Sequence, residues 1–220
     1  PNLMARSLKK TQIYSICVLL PDSKNDPYWQ PCIDGINEAK KEFKSFNVKV
    51  EIFLFDATST ASFVETNNAV LNASPDAVLL VPLFHKEALD AIDNYNSKGI
   101  IASIFNNQLK SNALKSFVGQ DLFQSGRIAA RLLELLIQKG TIAIVHIDED
   151  YENAIHMQEK EKGFRDYFDN LEKDRFEIKT FKVKHPQFKT TLKEYLEENP
   201  TIKGLFVTTS KAYQVAKIIA

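Results

Sequence analysis

Apolar and polar positions along this chain fall into blocks whose period switches between short continuous apolar runs and stripes at helical spacing. The run Ile13–Leu20 predicts a buried strand, which Pro21 ends. Asp22-Ser-Lys-Asn-Asp26 is a loop of turn formers. Pro27-Tyr28-Trp29 then opens a helix running to about Phe46, with Asp26 placed to cap it and Pro27 suited to its first turn. Pro31 fits poorly inside that helix and delays its regular start by a turn. Ile33, Ile36 and Phe43 recur at helical spacing, so one stripe of the helix can lie on the strand. A strand feeding a helix through a polar loop is the repeating part of a doubly wound sheet, where ligands gather beyond the carboxyl ends of strands. The loop Asp22–Trp29 is therefore the first candidate site.

The pattern repeats. Further strands are predicted over Val48–Phe55, Asp76–Val81, Ile100–Phe105, Ser116–Val118, Thr141–Ile147, Phe176–Val183 and Ile202–Val207. Helices are predicted over Phe63–Asn72, His85–Lys98, residues 122–138, Ala154–Leu171, Phe188–Glu198 and Lys211–Ala220. Ala88, Leu89, Ile92 and Tyr95 share one side of theirs, Gly99 stands where a left-handed residue ends it, and Ile128, Leu132, Leu135 and Leu136 run along the helix over 122–138. Helices between nearly all strands imply parallel pairing and right-handed crossovers, an α/β class with doubly wound parallel sheets. The strand–helix alternation restarts at Thr141, which predicts two lobes: residues 12–121 and 122–220, behind a leading segment 1–11. The second lobe has three recognisable strands and the last helix has no cap, so its sheet is expected to be incomplete and the natural chain to continue past Ala220.

Composition narrows the classes. With 220 residues, 28 Lys plus Arg balance 28 Asp plus Glu, which argues against a chain-wide basic surface. No apolar run approaches the roughly 20 residues that span a bilayer. Two cysteines are too few for a disulfide framework, and mid-strand Cys17 reads as a buried thiol in a reducing compartment. The chain begins at Pro1, so the lack of a leader says little. Seven glycines include none at dinucleotide or P-loop spacing. No nucleophile–base pair emerges, and no cofactor is implied. His146 and His156 flank the acidic run Asp148-Glu149-Asp150 with Glu152, but the spacing matches no calcium loop or zinc pattern, and a solvated loop is the expectation.

Certain strings carry a family likeness. Leu3-Met4-Ala5-Arg6-Ser7-Leu8-Lys9, followed by Ile16-Cys-Val-Leu-Leu-Pro21, resembles the join between hinge helix and sensor domain in the lac repressor (LacI/GalR) family of bacterial transcription regulators. Asn25-Asp-Pro-Tyr-Trp29, Asp34-Gly35-Ile36, Asp76–Val81, Val118-Gly-Gln-Asp121 with Gly126, and Lys160-Glu-Lys-Gly163-Phe164 resemble landmarks of the type I periplasmic-binding-protein fold, which that family shares with sugar-transport receptors. The resemblance implies a cytoplasmic, non-enzymatic, homodimeric regulator without a membrane segment. A small effector, a sugar or a derivative, would bind between the lobes and alter operator binding. A helix-turn-helix domain would precede Pro1, and residues 1–11 would form a hinge that orders on DNA. There Leu8 is the wedge between base pairs, Arg6 and Lys9 meet phosphates, and Ala5 lets the hinges approach. Alternatives are the sugar-binding receptor of a transporter, which needs a leader and no hinge, and the sensor of a membrane receptor kinase.

The implied ligand residues follow the strand ends. One ring of Tyr28 or Trp29 would stack on a sugar face; the alternative is that Trp29, at helical spacing to Ile33 and Ile36, is core. Asp26 is either a hydroxyl acceptor or a helix cap. Asn106, Asn107, Gln120 and Asp121 end strands four and five and can bond paired hydroxyls, while Pro82 and Phe84 shape a wall. The second lobe would add Asp148, Lys160, Thr209 and Ser210. Lys160 stands where the family commonly has an arginine, and lysine cannot reproduce its bidentate grip.

Overall fold

The computed structural model describes residues 13–24, 26–147, 154–171, 175–183 and 187–219. The hinge residues Ala5, Arg6, Leu8 and Lys9, the acidic run that includes Asp148, and His185 lie outside these described residues. The chain divides into two compact units, the first ending at Gly119 and the second starting at Gln120.

The first unit runs β1 (Tyr14–Pro21), a 3₁₀ turn (Pro27–Trp29), α1 (Gln30–Phe43), β2 (Val48–Phe55), α2 (Thr60–Ala73), β3 (Ala77–Leu80), α3 (His85–Ser97), β4 (Ile101–Asn106) and β5 (Leu114–Gly119). All five strands pair in parallel, in the order β2-β1-β3-β4-β5. A parallel sheet is covered by helices on its faces, which is why β1 and β3 read as nearly unbroken apolar runs. Cys17 and Leu19 of β1, Val78 and Leu80 of β3, Phe63 and Val70 of α2, and Ala88, Ile92 and Tyr95 of α3 form the core. Tyr95 is fully buried, and its hydroxyl donates to the Asn67 amide oxygen. Burial pushes that phenol well above its usual range.

Helix α1 shows what a proline in the first turn does. The chain passes through one 3₁₀ turn before α-helical bonding begins at Gln30, with Pro31 in the first turn, where a missing N–H costs nothing. Ile33 and Ile36 pack half-buried on the core as the stripe predicts, but Phe43 does not. It is exposed and leans on Phe46 at 5.8 Å, because α1 gives way there to a second 3₁₀ turn. Gly99 has φ 72°, the left-handed end expected of α3.

Cys17 is fully buried in β1, and its thiol is pushed up to about 11, first by burial and then by the nearby Glu51 carboxylate. The neutral thiol is thus the form the fold favours. Its contribution is whole below an unfolded value of roughly 8.5 and is lost as pH rises toward the folded value. Native protein at pH 8 should therefore resist iodoacetamide at Cys17 and lose that resistance in urea; fast labelling of the native chain would contradict the assignment.

The second unit runs α4 (Leu122–Leu136), β6 (Gly140–Ile147), α5 (Ile155–Asp169), β7 (Phe176–Val183), α6 (Phe188–Glu198), β8 (Ile202–Val207) and α7 (Ala212–Ile219). Its strands are parallel, in the order β7-β6-β8. Strand β6 is buried on both faces, and its side chains sort by the period-two rule. Ile142 and Ile144 join Ala130, Phe164 and Phe168 on the face of α4 and α5. Val145 and Ile147 join Val183, Phe188, Leu192 and Val215 on the face of α6 and α7.

The buried side of α4 is not the side that the large apolar residues mark. Ile128, Leu132, Leu135 and Leu136 are all exposed, whereas Leu122, Gly126 and Ala130 are buried. Helices α4 and α5 touch through glycine. A Cβ on Gly126 would collide with the Lys160 carbonyl, and one on Gly163 with the Phe123 carbonyl. So close a contact selects the smallest residues, and the bulky stripe turns outward. Among the described residues no helix is long and apolar enough to cross a membrane.

Candidate functional site

In the first unit the chain leaves β1 for β2 on one side and returns to β3 on the other, so the strand order reverses between β1 and β3. The loops at the carboxyl ends of such neighbours form a crevice. The turn after β1 carries Asp26, Tyr28 and Trp29, Pro82 and Phe84 follow β3, and Asn106 and Asn107 end β4.

Asp26 is an N-cap: its Oδ1 accepts from the Tyr28 backbone N–H at 3.0 Å, which fixes the 3₁₀ turn. That turn sends the two aromatic rings opposite ways. Trp29 is 5% exposed and belongs to the core, while Tyr28 is 48% exposed. The rings meet edge to face at 5.0 Å, so the tryptophan braces the tyrosine. The alternative left open by the sequence therefore resolves to Tyr28 as the ring that faces out. Asn106, at φ 69°, adopts the left-handed conformation that asparagine tolerates. From there its Nδ2 donates to the Tyr28 hydroxyl at 2.7 Å, joining the ends of β1 and β4. Asn107 is buried, and its N–H donates to the Phe105 carbonyl at 2.9 Å. Phe84 is half-buried against the core, its ring 6.2 Å from Phe55 and 5.9 Å from Phe63.

In the second unit Gln120 and Asp121 are exposed, and Asp121 caps α4 by accepting from the Gln124 N–H at 2.9 Å. Here the strand order reverses between β6 and β8. Lys160, on α5, is half-buried, and its Nζ donates to the Thr208 carbonyl at 2.9 Å. Thr209 and Ser210 follow at the end of β8, Thr209 half-buried and Ser210 exposed.

The sequence reading missed the group beneath these. His146 is 2% exposed, not part of a solvated loop. It extends the row Ile142, Ile144 on β6 and so points at α5, where Glu161 waits. Its Nε2 stands 2.7 Å from Glu161 Oε2, and its Nδ1 stands 2.8 Å from Thr208 Oγ1. Glu161 Oε1 accepts from Arg165 Nε at 2.9 Å and from Thr180 Oγ1 at 2.6 Å. The period-two row was the available signal. Hydroxyl, imidazole and carboxylate fall in the order of a hydrolytic triad, but Thr208 is fully buried, so no substrate carbonyl reaches it. Among the described residues no three His, Cys, Asp or Glu side chains are placed to hold a metal ion.

Taken each by itself, the strand-end cluster of the first unit offers an exposed aromatic ring and amides, and that of the second offers hydroxyls and one ammonium. Among solved structures, the chain is similar to a candidate LacI transcriptional regulator from Bacteroides fragilis, with 27% identity over 94% of this chain and 73% of that one and a TM-score of 0.86. It is also similar to GanP, a glucose-galactose binding protein from Geobacillus stearothermophilus, with 21% identity, 95% and 73% coverage and a TM-score of 0.81. A third likeness, of fold alone, is to an ABC transporter solute-binding protein from Burkholderia graminis in complex with D-arabinose, with 15% identity, 91% and 68% coverage and a TM-score of 0.77. None of the curated proteins matches the chain. The family model for the periplasmic binding protein domain matches residues 16–220, and the chain, with its parallel α/β units of type I architecture, belongs to that family.

Proposed function

We propose that this chain is the sugar-sensing part of a LacI-type transcription regulator, acting in the cytoplasm as a homodimer without catalysis. The observation that carries the sugar reading is the pair Tyr28 and Asn106: an exposed ring, braced by buried Trp29 and tied to an amide from the next strand end but one. A ring face takes up the C–H surface of a sugar while amides bond its hydroxyls. Relatives of this fold named for glucose-galactose binding and for a complex with D-arabinose support the class. The regulator reading is supported by the hinge-like string Ala5-Arg6-Ser7-Leu8-Lys9 and by the likeness to the Bacteroides fragilis protein. In this reading Leu8 wedges operator DNA, and Lys160, Thr209 and Ser210 add ligand contacts from the second unit. The ligand acts on DNA binding only through its different affinities for the two states of the dimer.

Calorimetric titration of the full chain with D-glucose, D-galactose, D-arabinose and D-fructose is expected to find a binder, and Tyr28→Ala to weaken it about tenfold or more. Unchanged affinity in Tyr28→Ala removes the ring from the site. The second reading, the binding receptor of a transporter, is favoured by the two sugar-named relatives. Anisotropy of labelled operator DNA, read on a protein that carries the implied helix-turn-helix domain ahead of this chain, separates the two: a regulator's DNA affinity changes with the sugar, and a receptor's does not.

A further inference from the structure

We propose that His146 is a positioning residue for ligand binding in the second unit, one that aims Lys160 and the Thr208–Ser210 turn without itself touching ligand. The inference rests on the sugar-binding reading and adds a residue to it. Three elements meet at this ring. It is carried by β6, it bonds Glu161 on α5 at 2.7 Å, and it bonds Thr208 at the end of β8 at 2.8 Å. Glu161 neighbours Lys160 in sequence, and Lys160 Nζ in turn donates to the Thr208 carbonyl at 2.9 Å. The ring therefore braces a closed circuit: His146 to Thr208, Thr208 to Lys160, Lys160 along α5 to Glu161, and back.

The chemistry of the ring suits the task. The Nε2 beside the Glu161 carboxylate donates to it, since a carboxylate oxygen accepts, and Nδ1 shares the second bond with the Thr208 hydroxyl. Glu161 is itself fixed by Arg165 and Thr180, so the imidazole is anchored on its α5 side before it reaches β8. Thr208 is fully buried and also donates its N–H to the Val145 carbonyl at 3.2 Å. Its side chain thus sets where the carbonyl bound by Lys160 points and where Thr209 and Ser210 leave the strand. Without the ring the Thr208 hydroxyl keeps only its longer bond to the Val145 carbonyl at 3.4 Å, and the turn is free to shift.

The test uses two substitutions that each keep half of the ring. Asparagine places an amide where Nδ1 stands and keeps the Thr208 bond. Glutamine reaches the Nε2 position and keeps the Glu161 bond. Each loses one bond, so both variants are expected to lower the urea midpoint of the full chain by similar amounts. Affinity, measured by calorimetry for the sugar that the wild-type chain binds in the panel above, is expected to split: about tenfold weaker in His146→Gln, and within about threefold of wild type in His146→Asn. Equal affinities in the two variants, whether both unchanged or both reduced in step with stability, overturn the proposal. Should the wild-type chain bind none of the sugars, the sugar reading fails, and this inference fails with it.

Discussion

Gly163→Ala is expected to destabilise the second unit by about 3 kcal/mol, although alanine is intrinsically the better helix former by about 1 kcal/mol. The sign is decided by space. A Cβ at 163 would run into the backbone carbonyl of Phe123, and one at 126 into the carbonyl of Lys160, so each helix has its glycine against the backbone of the other. Backbone cannot swing aside as a long side chain can, and α4 would have to move off α5. That movement would disturb Ala130, Phe164 and Phe168, which share one core cluster with Ile142 and Ile144. Gly35 supplies the internal control. It lies in α1 with nothing within 4 Å of where its Cβ would stand. Gly35→Ala should therefore leave stability unchanged or raise it by up to about 1 kcal/mol. Urea unfolding followed by circular dichroism reads both. A Gly163→Ala chain as stable as wild type would mean that the two helices are not in backbone contact.

Glu161→Ala is the second large effect, expected at about 3 kcal/mol or more. The carboxylate is 8% exposed and collects His146, Arg165 and Thr180. Removing it takes from the buried imidazole its bond at 2.7 Å and from the Arg165 guanidinium its carboxylate partner at 2.9 Å. Glu161→Gln keeps the shape and one acceptor oxygen but loses the charge, so a smaller loss is expected, about 1–2 kcal/mol. The midpoint should fall in both variants with the urea slope unchanged. If the alanine variant unfolds within about 0.5 kcal/mol of wild type, the network does not hold the second sheet to α5.

The fold was legible because its central strands, β1 and β6 above all, are largely buried on both faces. Runs such as Ile13–Leu20 and Thr141–Ile147 announce themselves without alternation, and the cap Asp26 and the left-handed Gly99 mark helix ends by local chemistry, whereas the capping role of Asp121 was not read from the sequence. What could not be read depends on distances between elements. Helix α4 shows four large apolar residues at near-helical spacing, yet its packed side is the one with Gly126 and Ala130, because closeness to α5 outweighed bulk. Tyr28 and Trp29 are adjacent and chemically alike, and only the 3₁₀ turn decides which is core. The partner of His146 lies fifteen residues away on the next helix, a relation fixed by the crossover from β6 to α5 rather than by any motif.

The left-handed backbone at Asn106 also limits what substitution can do there. At φ 69° only a few residue types sit without strain. Glycine would abolish the amide that reaches Tyr28, and aspartate would exchange a donor for an acceptor. The vocabulary open to drift at that corner is therefore short, and a lineage that altered its preferred ligand would have to write most of the change elsewhere.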